Sequence, residues 1–284
     1  MATQLVHLPE VERLSPACIR ILGGNPSKFQ LQGTNTYLVG TGPRRLLIDT
    51  GEGKPSWQAA LKRVLDEEKA TVQAALLTHW HPDHVQGVPQ LEQLVSDTAV
   101  YKCAPAPGQL NIVDGQVFEV QGATLTAVHT PGHTTDHMAF VFREEDALFT
   151  GDNVLGHGTA VFEDLGIYLH SLTKMERLVS GRAYPGHGPV LSQARAKIAE
   201  YISHRHQREL QVIETLGSAK DSSSLTTGAW TPMELVKVIY RDVPEELHIP
   251  ASYGVIQILK KLLAEDKVVL EDGDRWRLKE RPTL

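Results

Sequence analysis

Four residues of metal-ligand type stand within six positions of LLTHWHPDHVQG, directly after an apolar run, and this segment constrains the chain more than any other. The run Ala74 to Leu77 reads as a buried strand that ends at Thr78. In extended backbone the i, i+2 spacing sends His79 and His81 to the same side. Pro82 then ends the strand, so Asp83 and His84 turn toward a second centre as a helix starts. Imidazole and carboxylate are the donors that suit zinc where no thiolate is supplied.

Three later segments share the same design, a strand end followed by a glycine-supported turn that presents one donor. TPGHTTDH places His133 after the strand-like ATLTAVH, LFTGDNV places Asp152 after ALFT, and YPGHGPV sets His187 between two glycines. Five histidines and two aspartates suffice for two metal ions. His137, four residues after His133, is placed to support a ligand from behind. Asn35 and Thr36 of GTNTY, and His157 of GHGTAVFED, are candidates for lining the cleft and touching substrate. Trp80 reads as a packing residue.

The rest of the chain is legible by period. CIRILGG, TNTYLVG, RRLLIDTG, AVYKC, QVFEV, TLTAVHT and MAFVF carry the alternation and β-branched content of strands, with turns at Gln121-Gly122 and Glu144-Glu145-Asp146. SWQAALKRVLDEEKA reads as a helix capped by Ser56, and LHSLTKMERLVS and ARAKIAEYISHRHQRELQVIETL as further helices. This mixture predicts sheets covered by helices. After it, GSAKDSSSLTTGAW reads as a loop. TPMELVKVIYRDV is a helix with Thr231 as N-cap and Pro232 at its first position. SYGVIQILKKLLAEDKV is another helix, and VVLEDGDRWRL a hairpin turning at Asp272-Gly273, so the end of the chain looks like a small winged-helix-type appendage. Lys260, Lys261 and Lys267 read as a solvated basic face.

The HxHxDH motif followed by His, Asp and His is the signature of the metallo-β-lactamase superfamily. GNPSKFQLQGTNTYLVGTGPRRLLIDTGEG, TGDNVLGHGTAVFEDL and YPGHGPV resemble the branch that holds animal β-lactamase-like protein 2 and fungal acyl-carrier-protein thioesterases of polyketide pathways. The resemblance implies an α+β fold, an αββα sandwich over residues 1–216, with a winged-helix-like C-terminal domain over 217–284. It implies two Zn²⁺, or other divalent transition metals. His79, His81 and His133 would hold the first, Asp83, His84 and His187 the second, and Asp152 would bridge them. A bridging hydroxide would be the nucleophile, with Asp83 as the catalytic residue that orients it and takes its proton. One departure stands out: Gln86-Gly87 where many relatives have Gly-Gly, so a tight turn there could be displaced.

Hydrolysis is therefore the expected reaction, and redox and group-transfer readings fare worse, since no Rossmann or P-loop glycine motif is present. Two substrate classes compete, an acyl thioester or ester, carried on a carrier protein in one form, and a single-stranded RNA. A net charge of −6 favours the acyl substrate, since RNA binding usually needs a basic footprint. The appendage favours RNA, since winged helices often touch nucleic acid. Two cysteines, Cys18 and Cys103, cannot build a disulfide framework, and no apolar run approaches the roughly 18 residues of a membrane helix. The first residues resemble neither a signal nor a transit peptide. The expectation is a soluble intracellular protein without a membrane partner, in the cytoplasm or, alternatively, the mitochondrial matrix. Nothing in the sequence sets its oligomeric state.

Overall fold

The computed structural model describes residues 5–218 and 228–279. Its first sheet holds seven strands in chain order: β1 (Val11–Ser15), β2 (Cys18–Leu22), β3 (Asn35–Val39), β4 (Arg44–Ile48), β5 (Thr71–Leu77), β6 (Ala99–Lys102) and β7 (Leu110–Asn111). The β1–β4 pairs are antiparallel and the β4–β7 pairs parallel. Parallel neighbours need crossovers. Helix α1 (Pro55–Glu68) joins β4 to β5, and α2 (Pro82–Val85) with α3 (Val88–Leu94) joins β5 to β6. The second sheet contains β8 (Val117–Val120), β9 (Ala123–His129), β10 (Met138–Phe142), β11 (Ala147–Gly151) and β12 (Ala183–Pro185), ordered β12-β11-β10-β9-β8.

The strand period of two sorts the core into layers. Tyr37, Val39, Leu46 and Leu76 of the first sheet meet Leu125, Phe140, Phe142 and Phe149 of the second. On the other face of the first sheet, Ile19, Leu38, Leu47 and Leu77 pack on Trp57, Leu61 and Leu65 of α1 and Leu91 of α3. Val128, Ala139 and Leu148 are buried on the outer face of the second sheet as well. Helices α4 (Leu165–Glu176) and α5 (Ala194–Gly217) supply buried Tyr168, Leu172, Met175 and Ile198. The order is helix, sheet, sheet, helix.

Two compact units are distinguished, one of residues 1–162 with 167–201, the other of 163–166 with 202–284. In the second, α6 (Pro232–Ile239) packs on α7 (His248–Ala264), and α7 on the first strand of a hairpin, β13 (Val268–Glu271) with β14 (Arg275–Leu278). Leu235, Val236, Val255, Leu259, Val268 and Trp276 are among its buried apolar side chains. Trp230 and Trp276 exchange backbone hydrogen bonds at 2.8 Å each, adding a short third rung to the hairpin. Thr231 caps α6 in a capping box with Glu234. Most of the expected loop GSAKDSSSLTTGAW lies outside the described residues.

Three expectations need correction. Ser56 does not cap α1: the N-cap is Lys54, and Pro55 takes the first helical position. Proline's missing N–H costs nothing there and its fixed φ suits the first turn, so the helix starts one residue before the serine. The basic face is not uniformly solvated. Lys261 is largely buried and bonded to Glu209 at 2.9 Å and Glu265 at 2.7 Å. Finally, β1 was not anticipated, because Glu12 and Arg13 obscure its alternation. It is an edge strand, where charge is tolerated and discourages unwanted pairing.

Candidate metal centre

All seven candidate ligands lie in connections that follow strands. β5 ends at Leu77, and His79 and His81 follow on either side of a bend at Trp80 before Pro82 opens α2, which carries Asp83 and His84. His133 follows β9, Asp152 follows β11 and His187 follows β12. The fold gathers them into two groups, His79, His81, His133 and Asp152 in one, Asp83, His84 and His187 in the other. Within each group the donor atoms lie within 4.8 Å of one another.

In the first group three ring nitrogens converge. His79 Nε2 lies 3.0 Å from His81 Nδ1 and 3.3 Å from His133 Nε2, and His133 Nε2 lies 3.0 Å from His81 Nδ1. The surrounding bonds assign the protons elsewhere. His133 Nδ1–H donates to the Val161 carbonyl at 2.8 Å. Thr78 Oγ1 donates to Asp49 Oδ2 at 2.9 Å and so accepts from His79 Nδ1–H, also at 2.9 Å. Both Nε2 lone pairs therefore face inward. Burial, reinforced by neighbouring imidazoles, pushes His79 well below its ordinary pKa and His81 down to about 4, so these rings stay neutral.

The second group carries charge. His84 Nδ1 donates to Asp49 Oδ2 at 2.7 Å, which turns Nε2 toward Asp83 Oδ2 at 3.4 Å and Asp152 Oδ1 at 3.5 Å. His187 Nε2 is 3.3 Å from Asp83 Oδ2 and 3.2 Å from Asp152 Oδ2. Burial opposes charge on both rings, but the carboxylates outweigh it, raising His84 well above its ordinary value and His187 to about 9. Burial likewise works against ionised Asp83 and Asp152, and the facing His84 and His187 outweigh it, holding both carboxyls well below the usual range.

This donor set fits divalent cations. His84 Nε2 and Asp152 Oδ1 are buried without a hydrogen-bond partner, and a cation between them would replace the proton that the carboxylates otherwise favour on His84. The inward Nε2 atoms of His79 and His133 face each other at 3.3 Å, an arrangement that a shared cation would relieve.

The supporting residues divide into those anticipated and those not. His137 is fully buried and its Nε2 accepts the Asp152 backbone N–H at 3.2 Å, so it holds the chain at Asp152. Asp49, not anticipated, orients both groups, since it accepts from the Thr78 backbone and hydroxyl and from His84. Its signal was present: Asp49-Thr50-Gly51 ends a buried strand beside a glycine, as Thr150-Gly151-Asp152 does. Gln86 displaces nothing, because it adopts right-handed helical φ −71° and ψ −12°. The glycine this turn needs is Gly87, where a Cβ would lie 1.8 Å from the Thr50 carbonyl oxygen.

Asn35 and Thr36 do not line the cleft. Both are buried, and Asn35 splices β3 to the His187 loop by bonding the carbonyls of Pro185 and Gly188 at 2.9 and 2.8 Å. Thr36 bonds the Ile21 carbonyl and accepts from Trp57 Nε1. An asparagine near a ligand in sequence serves backbone as readily as substrate. Trp80 is half-exposed rather than packed inside, its ring edge-on to His81 at 4.5 Å. His157 does border the cleft, a cavity of about 470 Å³ whose floor includes His81, Asp83, His133, Asp152 and His187. Its walls are the segments 28–31 and 155–161. Phe29 and Val161, one on each wall, are 72% and 66% exposed, and Lys28 is the sole lysine or arginine on the lining.

Comparison with known proteins adds family matches. The model of the metallo-beta-lactamase superfamily matches residues 30–102 and 96–187, and that of the beta-lactamase associated winged helix domain matches 231–276. An atrochrysone carboxyl ACP thioesterase of Aspergillus chevalieri is 47% identical over 274 residues, 95% of this chain and 88% of that protein. The lactamase-like protein vrtG of Penicillium aethiopicum is 48% identical, over 96% of this chain and 91% of its own length. A beta-lactamase domain protein from Burkholderia ambifaria, 18% identical, shares the fold with a TM-score of 0.79 over 98% of this chain and 96% of that one.

Proposed function

Because this chain belongs to the metallo-β-lactamase superfamily, we propose that it is a two-metal hydrolase of acyl thioesters or esters, with a carrier-protein-bound chain as its large substrate. The cleft carries this reading. Two exposed apolar side chains, Phe29 and Val161, flank it, and only Lys28 brings a permanent positive charge to its lining. An apolar acyl group gains by covering such walls, whereas a polyanionic RNA would find a single basic side chain for its backbone. The similarity to proteins named as ACP thioesterases supports the same substrate class.

His79, His81 and His133 would hold one cation, Asp83, His84 and His187 the other, with Asp152 bridging; zinc suits these donors. Two such cations would acidify a shared water into a hydroxide nucleophile near neutral pH and polarise the acyl carbonyl. The chain's own residues do the rest. Phe29 and Val161 exclude water from the acyl group and fix its approach, and His157, on the wall that carries Val161, contacts it. Asp83 is assigned to orient the attacking water and to accept its proton. Residues 1–216 would form the catalytic domain, and 217–284 a winged-helix-like domain that selects large substrates.

Purified protein should contain close to two zinc-type metals per chain by elemental analysis. It should hydrolyse acyl thioesters in a chelator-sensitive way and leave labelled single-stranded RNA intact. RNA cleavage without thioester turnover would reverse the substrate assignment. Protein that carries no metal and gains no activity when metal is added would end the hydrolase reading.

A further inference from the structure

We infer that Asn25 and Thr34 form a clasp that positions Asp83 and thereby sets the strength of the second metal site; this rests on the two-metal reading above.

Thr34 is fully buried, and its Oγ1 donates to Asp83 Oδ2 at 2.9 Å. The direction of that bond follows from its neighbours. The Thr34 backbone N–H donates to Asn25 Oδ1 at 2.9 Å, which turns Nδ2 of the same amide toward the Thr34 hydroxyl at 3.1 Å. The hydroxyl oxygen thus accepts from Asn25, and its proton is left for Asp83. Both ends of one side-chain amide are spent on one threonine. The space for that amide is kept by Gly23, where a Cβ would stand 2.8 Å from Asn25 Oδ1.

The oxygen that Thr34 engages is the one lying 3.4 and 3.3 Å from the Nε2 atoms of His84 and His187. The hydroxyl occupies one lone-pair direction of Oδ2 and fixes the plane of the carboxylate, leaving the remaining direction toward the two imidazoles. Thr34 also pairs with His187 through its backbone, and Asn35 N–H donates to the Gly186 carbonyl at 2.7 Å. One short stretch, Thr34–Asn35, therefore holds Asp83 by a side chain and His187 by main chain. Nothing comparable from it reaches His79, His81 or His133, whose outer nitrogens are held by Thr78 and Val161 where bonds are formed. The clasp should act on the second site alone.

The test is a zinc titration of the full chain, stripped of metal, against a chromophoric chelator. Thr34→Val keeps the shape and removes the donor. It should weaken the second equivalent roughly 10- to 100-fold and leave the first unchanged. Thr34→Ser, which restores the hydroxyl, should recover most of that loss. Asn25→Asp should resemble Thr34→Val, because a carboxylate there accepts the hydroxyl proton that otherwise goes to Asp83. Circular dichroism of each variant reports folding, and Thr34→Ser with Asn25→Asp keeps the question open to decision if Thr34→Val unfolds. Two equivalents bound with wild-type strength by Thr34→Val or Asn25→Asp would overturn the clasp. So would equal weakening at both sites without rescue by serine. A wild-type chain that binds fewer than two equivalents would instead overturn the two-metal reading on which the clasp depends.

Discussion

At the scale of single residues, the site rests on groups whose value lies in what they face. Asp152 lies within 3.7 Å of His133, 3.5 Å of His84 and 3.2 Å of His187, so it is the donor shared between the groups. Asp152→Ala should lower turnover by roughly three orders of magnitude and reduce bound metal to at most one per chain, read by steady-state assay and elemental analysis. Asp83→Ala should cost rate on a similar scale while the melting temperature moves little. If His157→Ala proved equally severe and Asp83→Ala stayed active, the role given to Asp83 would pass to His157. A different cost attaches to Lys102, whose ammonium bonds the carbonyls of Cys103 and Ala104 and the carboxylate of Asp136, both charges being buried. Lys102→Met should destabilise the protein by about 3–5 kcal/mol in urea unfolding, because Asp136 is left charged and unpaired in the interior. The loss should be smaller in Lys102→Met with Asp136→Asn.

At the scale of elements, turns and caps do the positioning. The capping box of Thr231 and Glu234 satisfies two otherwise free N–H groups at the start of α6. Thr231→Ala should therefore cost about 1 kcal/mol in unfolding while thioesterase kinetics on a small substrate stay unchanged. This cap was visible in the sequence because its residues are neighbours, as were the strands that carry ligands, since alternation and glycine turns are local. Ser56 misled for the same reason, a good capping residue standing two places after the N-cap, beside a proline that better suits the first turn. Asp49 carried only a strand-end signal, and the partners of Asp49 and Thr34 were not legible. Their partners lie 29 to 49 positions away, and only the closure of β4 on β5 and the return of the β2–β3 connection bring them together. Asn35 shows the converse: it is close to the cleft along the chain, yet its amide is spent on the carbonyls of Pro185 and Gly188.

At the scale of the whole molecule, the candidate ligands all precede residue 188, and no comparable cluster occurs in the second unit among the described residues. Removal of residues 217–284 should leave metal content of the soluble monomeric fraction nearly intact. It should impair turnover of a carrier-protein-bound substrate far more than that of a small chromogenic thioester. Equal loss on both, with metals retained, would reduce the appendage to a packing element. No described helix is long and apolar enough to cross a membrane. The division of ligands between the sheets also has a consequence for biosynthesis. His79, His81, Asp83 and His84 leave the ribosome with the first sheet, but each group is completed only from the second, by His133 and Asp152 or by His187. A chain made only as far as the first sheet therefore offers a metal ion an incomplete set of donors. On the two-metal reading, full metal capture would wait until His187 has emerged, and a product cut short before it would lack part of the donor set as well as part of the second sheet.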